Sequence, residues 1–117
     1  MGKFKTVLIL DDRDIRHLYL GKFYSEYIKK HAYTAQEAID MLSMGKILDI
    51  VTLDHDLNGG AYESSDHPNS GYAVAKWLSE HKDRQPETIL IHSMNEYGAK
   101  KMMELLPTAK WTPCEVY

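Results

Sequence analysis

The sequence predicts an α/β domain, a three-layer sandwich built on a five-stranded, mostly parallel sheet. Three observations carry that expectation. Short apolar runs at Val7–Leu10, Ile50–Leu53 and Ile89–Ile91 have the length and composition of strands buried on both faces, as parallel strands are. Segments with helical spacing of apolar residues alternate with them, the grammar of strand–helix–strand units joined by right-handed crossovers. Each run also ends in polar side chains, and the crevice outside the carboxyl ends of such strands is where open parallel sheets bind ligands.

Val7–Leu10 is the first strand and closes in Asp11-Asp12-Arg13-Asp14. A helix is expected from about Ile15 to Tyr27, with Asp14 as its cap and Ile15, Leu18, Tyr19 and Phe23 facing the sheet. Lys29–Tyr33 reads as a short, polar edge strand. Thr34 and Glu37 make a capping box for a helix carrying Ala35, Ala38, Ile39 and Leu42 on one face, and Gly45 stops it.

The central strand Ile50–Leu53 runs into Asp54-His55-Asp56-Leu57. Asn58–Ser70 is polar and without periodicity, so it reads as a loop whose length beside a site suits a lid or specificity segment. Ser70-Gly71 opens a helix to about His81 with Val74, Trp77 and Leu78 as its buried stripe. The strand Ile89–Ile91 ends at His92-Ser93. Asn95 caps a helix over Glu96–Leu106 with Gly98, Met102 and Leu105 inward, and Pro107 ends it. Ala109–Thr112 is the fifth strand, limited by Pro113. No repeat or linker interrupts this order, so residues 1–117 read as one domain.

Composition narrows the function classes. A hydrophobic fraction of 44% and a charged fraction of 26% are those of an ordinary globular protein, and a net charge of −3 gives no general pull toward nucleic acid, DNA included. One cysteine, Cys114, rules out an internal disulfide and points to a reducing compartment. No apolar stretch has membrane-spanning length and residues 1–5 do not form a signal peptide, so the expected location is cytoplasmic.

The chemistry sits at the strand ends. Asp11, Asp12 and Asp54 converge if the first and central strands are neighbours. Clustered carboxylates repel, and a divalent cation relieves that repulsion; hard oxygen donors with room for water suit magnesium or manganese. His92 ends a strand and precedes Ser93 and Asn95, so it is the leading proton donor, with His55 the other. Ser93 and Asn95 offer neutral donors for a phosphate oxygen, Asn95 serving equally as a helix cap, and Arg13 is either an anion clamp or half of a surface ion pair. His67 falls in the loop as a lid residue, while His17, His31 and His81 read as helix or surface residues.

Asp11-Asp12, Asp54 and Ser93 resemble the receiver domains of bacterial response regulators. That resemblance implies a flavodoxin-like strand order 2-1-3-4-5. It also implies magnesium on the acidic residues, a phosphoryl group on Asp54 and a hydroxyl sensor at Ser93. The pattern departs at the lysine after the fifth strand, because Lys110 precedes Trp111-Thr112-Pro113 instead of standing directly before a proline. A closer likeness is to the cyclic-phosphate processing receiver domains. It is carried by Leu10-Asp11-Asp12-Arg13, Leu53-Asp54-His55-Asp56-Leu57, Gly71-Tyr72, His92-Ser93-Met94-Asn95, Gly98 and Met102.

The closer likeness implies a receiver-like fold acting on a cyclic-phosphate nucleotide or RNA terminus. On that footing the leading expectation is a metal-dependent phosphoesterase. Asp11, Asp12 and Asp54 hold magnesium or manganese with help from Asp56, His92 or His55 protonates the leaving oxygen, and Ser93, Asn95 and Arg13 position the phosphate. Two alternatives stand beside it: a module that binds a nucleotide or protein without turnover, and a phosphoacceptor receiver with Asp54 as the acceptor.

Overall fold

The computed structural model describes residues 4–116; residues 1–3 of the polar N-terminal stretch lie outside the described residues. Nine elements follow one another as β1 (Thr6–Leu10), α1 (Asp14–Gly21), β2 (Ile28–Ala32), α2 (Ala35–Ser43), β3 (Ile50–Leu53), α3 (Gly71–Glu80), β4 (Thr88–Ile91), α4 (Glu96–Leu105) and β5 (Lys110–Trp111). Single 3₁₀ turns stand at Lys22–Tyr24 and Lys82–Arg84. The five strands form one sheet in the order β2-β1-β3-β4-β5, and every pairing is parallel. The chain reverses its lateral progress between β1 and β3, so their carboxyl ends flank the switch point at which such sheets bind ligands.

The register fixes which side chains share a face. Leu8 pairs with Val51 and Leu10 with Leu53, while Val51 pairs with Ile89 and Leu53 with Ile91. These six lie on one face and join the buried residues of α2, α3 and α4 in the main core. Val7, Ile9 and Thr52 point to the other face and are buried there. That second face is the thinner one, since Ile50, Thr88 and Leu90 on it are only half-buried.

Local signals set most helix starts. Thr34 Oγ1 accepts from the N–H of Glu37, and Glu37 Oε1 accepts in return from the N–H of Tyr33. Ser70 caps α3 through the N–H of Ala73, and Asn95 caps α4 through the N–H of Gly98. Helix α2 ends before Gly45, which has φ +68°.

Helix α1 departs from expectation. It ends at Gly21 instead of near Tyr27, and Arg13, not Asp14, holds the cap position without a side-chain capping bond. Its apolar stripe does not face the sheet: Ile15, Leu18, Tyr19 and Phe23 are all exposed. The helix is rolled about its axis so that Arg16, His17, Leu20 and Gly21 turn inward. Polar bonds decide that roll, because His17 donates through Nε2 to the backbone carbonyl of Asp11 at 2.8 Å while Arg16 reaches the carboxylates. His17, read as a helix or surface residue, is therefore a buried residue of the helix.

Candidate functional site

The strand ends bring together Asp11 after β1, Asp54 after β3 and His92 after β4. One ligand atom from each lies within 4.8 Å of the others, and all three residues are buried. The sheet dictates this meeting. Asp54 donates its N–H to the carbonyl of Leu10, and His92 donates its N–H to the carbonyl of Leu53, so both residues continue the strand ladder by one step.

Each carboxylate has a distinct set of partners. Asp11 Oδ1 accepts from the N–H of Arg13 at 2.9 Å, and Asp11 Oδ2 accepts from His92 Nε2 at 2.8 Å. A carboxylate only accepts, so Nε2 of His92 donates to Asp11, and its Nδ1 pairs with the Thr52 hydroxyl at 2.7 Å. Asp54 Oδ1 accepts from the N–H of His55 at 2.8 Å, and its Oδ2 accepts from Arg16 Nη1 at 3.2 Å. Arg16 Nη1 also stands 3.3 Å from Asp11 Oδ1 and so bridges the two carboxylates. Asp12 lies further out, where its Oδ2 accepts from the N–H of Gly59 at 2.8 Å.

The electrostatics follow from that inventory. Burial raises Asp54 first and the Asp11 charge adds to it, so that Arg16 and the His55 N–H leave its carboxyl at about 7. Burial works against the Asp11 charge too, but the bond and charge of His92, the Arg13 N–H and Arg16 outweigh it and hold Asp11 below the usual carboxylate range. Asp12 is raised, by burial first and by Asp11 as well. One guanidinium shared between two carboxylates this close leaves them short of positive charge.

A second network starts at Asp56. Its Oδ1 accepts from His55 Nδ1 at 2.7 Å, from Asn95 Nδ2 at 3.2 Å and from the N–H of Glu63 at 3.1 Å, while Oδ2 accepts from the N–H of Tyr62 at 2.9 Å. His55 is fully buried and its Nε2 accepts from the Ser65 hydroxyl at 2.9 Å. Here too burial opposes the charge, and the bonds from His55, Asn95 and Tyr62 overcome it to lower Asp56. Glu63 then ties the N–H groups of Leu57 and Gly60 and the amide of Asn58. The 58–70 loop is thus pinned to the strand end, and Ser70 forms a bridge with Asp56.

Two glycines make room for this packing. A Cβ on Gly71 would collide with the Asp54 carbonyl oxygen, and one on Gly98 would fall 2.6 Å from the His55 ring.

A cleft of about 290 Å³ opens over the carboxylates, lined by Arg13, Arg16, Asp54, Asp56, Ser93 and Asn95 together with Tyr62 from the loop. Ser93 is buried and its Oγ accepts from the N–H of Asn95, while the side chain of Asn95 is spent on Gly98 and Asp56. Arg13 is exposed at the rim. His67 is exposed on the loop, where its Nδ1 accepts from the N–H of Asn69, and it does not line the cleft. Lys110 is exposed on β5 opposite Leu90 and does not line the cleft either.

Arg16 is the residue that sequence reasoning passed over. It stands three residues after Arg13, and its guanidinium supplies the cation in the cleft that the strand-end lysine does not.

The sequence matches the family described as "Cyclic-phosphate processing Receiver domain" over residues 6–108. The chain belongs to that family. No curated protein matches the sequence. Among solved structures, this receiver domain superposes on a CheY-like receiver domain from Methylobacillus flagellatus with a TM-score of 0.70 at 16% identity, covering 98% of this chain and 90% of that one. It also superposes on the response regulator TrrA from Thermotoga maritima in complex with Mg(2+)-BeF, with a TM-score of 0.71 at 22% identity and coverage of 96% and 88%. A response regulator from Burkholderia pseudomallei with a phosphorylated aspartic acid, calcium ion and citrate gives 0.65 at 20% identity, covering 96% of this chain and 62% of that chain. At these identities the likeness establishes the receiver fold. Magnesium and calcium, not manganese, are the ions named in those structures. No helix among the described residues is long and apolar enough to cross a membrane.

Proposed function

We propose that this receiver domain accepts a phosphoryl group on Asp54 with the help of a divalent cation, magnesium by preference. The observation that carries the reading is the setting of Asp54: it ends the central strand, its Oδ1 is held by the His55 N–H, and its Oδ2 faces the cleft beside Arg16. The named relatives support it, one carrying a phosphorylated aspartic acid and another in complex with Mg(2+)-BeF.

The donor set fits a hard cation. Asp11 and Asp54 converge without one and Asp54 is driven toward protonation, as expected where a charge has been left for a ligand to neutralise. Asp11, Asp12 and Asp54 would hold the ion, which supplies charge neutralisation and Lewis acidity to the phosphoryl oxygens.

The remaining work belongs to the chain. Asp54 Oδ2 attacks phosphorus, the bond to the leaving group breaks, and the leaving group departs with the electron pair. Arg16 is placed to receive a phosphoryl oxygen as it gives up Asp54, and the buried Ser93 hydroxyl offers a second donor. Neither His92 nor His55 is given a proton-transfer role in this scheme, because both ring nitrogens of each are already engaged and both rings are buried.

A second reading, a phosphoesterase for a cyclic phosphate, is favoured by the family's own description. One experiment addresses both. The protein is incubated with magnesium and either a small phosphodonor or a 2′,3′-cyclic nucleotide, and followed by intact mass and phosphorus NMR. Addition of one phosphoryl group that is lost in Asp54→Asn supports the acceptor. Nucleotide turnover without a covalent adduct would replace it with the esterase.

A further inference from the structure

Helix α1 carries an apolar face that no described residue covers. Ile15, Leu18, Tyr19 and Phe23 are 47%, 72%, 40% and 65% exposed. Their spacing puts them on one stripe, and the 3₁₀ turn continues it because Lys22 keeps helical backbone angles. Tyr19 and Phe23 already meet edge to face, with ring centroids 5.4 Å apart. By contrast α2 packs on α3 and α3 on α4, each burying its own stripe.

The exposed stripe amounts to about 400 Å² of contiguous apolar surface, the size of a monomer's largest and often functional patch. Two such stripes with their polar rims reach about 1,000 Å² or more, the lower bound of a specific interface.

Charge chooses the occupant. Asp14 stands one turn before Leu18 and Lys22 one turn after it, on the same side of the helix, where both line the groove between α1 and β2. The stripe therefore runs from an acidic end to a basic end about a centre at Leu18. A second copy of α1 crossing antiparallel at Leu18 sets Asp14 against Lys22 of the other copy, twice, with Leu18 against Leu18 on the axis. A parallel copy would set like charges together. Antiparallel helices also oppose their dipoles favourably.

We propose that this face pairs with a second copy of the chain as an antiparallel two-fold dimer. The proposal is independent of the chemistry at Asp54, since none of these side chains lines the acidic cleft.

Sedimentation velocity of the full chain over a range of concentrations tests it, with circular dichroism to confirm folding. The wild-type chain is expected to dimerise. Leu18→Glu and Phe23→Glu, both at exposed positions, are each expected to weaken the dimer roughly thirtyfold or more. Asp14→Lys and Lys22→Asp are each expected to weaken it about tenfold, and the two together to restore it. A chain that is monomeric at every concentration, a dimer indifferent to both glutamates, or a double charge reversal that fails to restore association would each overturn the proposal.

Discussion

Two histidine–aspartate pairs sit at the same end of the sheet and behave in opposite ways. His92 and Asp11 are 2.8 Å apart, and His55 and Asp56 are 2.7 Å apart. Around Asp56 every polar partner is supplied by the chain, so the carboxylate keeps its charge and the network acts as a pin for the 58–70 loop. Around Asp11 the balance is incomplete. Two buried carboxylates share one guanidinium, and the deficit falls on Asp54, whose carboxyl is pushed up to about 7. The same residue types build structure in one place and leave two carboxylates sharing one guanidinium in the other. What separates them is whether charges within reach match in number.

The largest expected effect breaks the satisfied side. Asp56→Ala removes the acceptor for His55, Asn95, Tyr62 and Glu63 together. It leaves Nδ1 of a buried histidine, the side-chain amide of Asn95 and two loop N–H groups without that acceptor, a loss of about 3 to 4 kcal/mol. Urea unfolding should show that loss, and hydrogen exchange at the amides of Tyr62 and Glu63 should accelerate. A loss below about 1 kcal/mol would mean the loop is held by Glu63 and Asn69 instead.

The next sharpens the unsatisfied side, and its sign is opposite. Asp54 titrates at about 7 in the folded chain against an ordinary 3.8, so the folded state keeps a proton that the unfolded state has lost across that window. The stability this contributes is fully present below the ordinary value and is lost as pH rises through about 7. Asp11 and Asp56 are lowered, so their contributions run the other way and are lost only as pH falls through values beneath the usual carboxylate range. Asp54→Asn removes the proton dependence. At about pH 8 it should therefore be more stable than the wild type by about 2 kcal/mol, with the difference closing toward about pH 5. Magnesium should reverse the difference by stabilising only the wild type, its apparent affinity tightening as pH rises toward about 7. A variant that is less stable in the alkaline range would show that Asp54 is paired, not strained by charge.

Much of this was legible in the chain, and the limit has a physical cause. Strand ends are read from short-range pattern, so the sequence alone places Asp11, Asp54 and His92 at one end of the sheet, and Thr34, Ser70 and Asn95 announce their helices. The roll of α1 was not legible. Hydrophobic spacing assigned Ile15, Leu18, Tyr19 and Phe23 to the sheet, yet Arg16 and His17 take the inward side through their bonds to the strand end and leave those four exposed. The same misreading hid Arg16, because Arg13 lies nearer in sequence to the aspartates. The useful signal was a second arginine in the first turn of the helix, on the side that a stripe at Ile15 and Tyr19 excludes. The departure at Lys110 was legible, since it does not stand directly before a proline, and on β5 it lies opposite Leu90, away from the cleft.

The smallest effect concerns Tyr62, which the satisfied network holds at φ +58°, in the left-handed region that a bulky residue avoids. Its N–H is fixed on Asp56 and its side chain is 75% exposed, so little packing rewards the conformation. Tyr62→Gly relieves about 1 to 2 kcal/mol of strain while the freer unfolded chain takes back about 0.5 to 1 kcal/mol. A net gain of about 0.5 kcal/mol is expected, read as a higher urea midpoint at an unchanged slope. Gly59, at φ +83° in the same loop, supplies the control, since Gly59→Ala should lose about 1 kcal/mol. If Tyr62→Gly instead destabilises the chain by more than Gly59→Ala, the tyrosine ring contributes packing of its own, and the loop owes its order to more than the hydrogen bonds on Asp56.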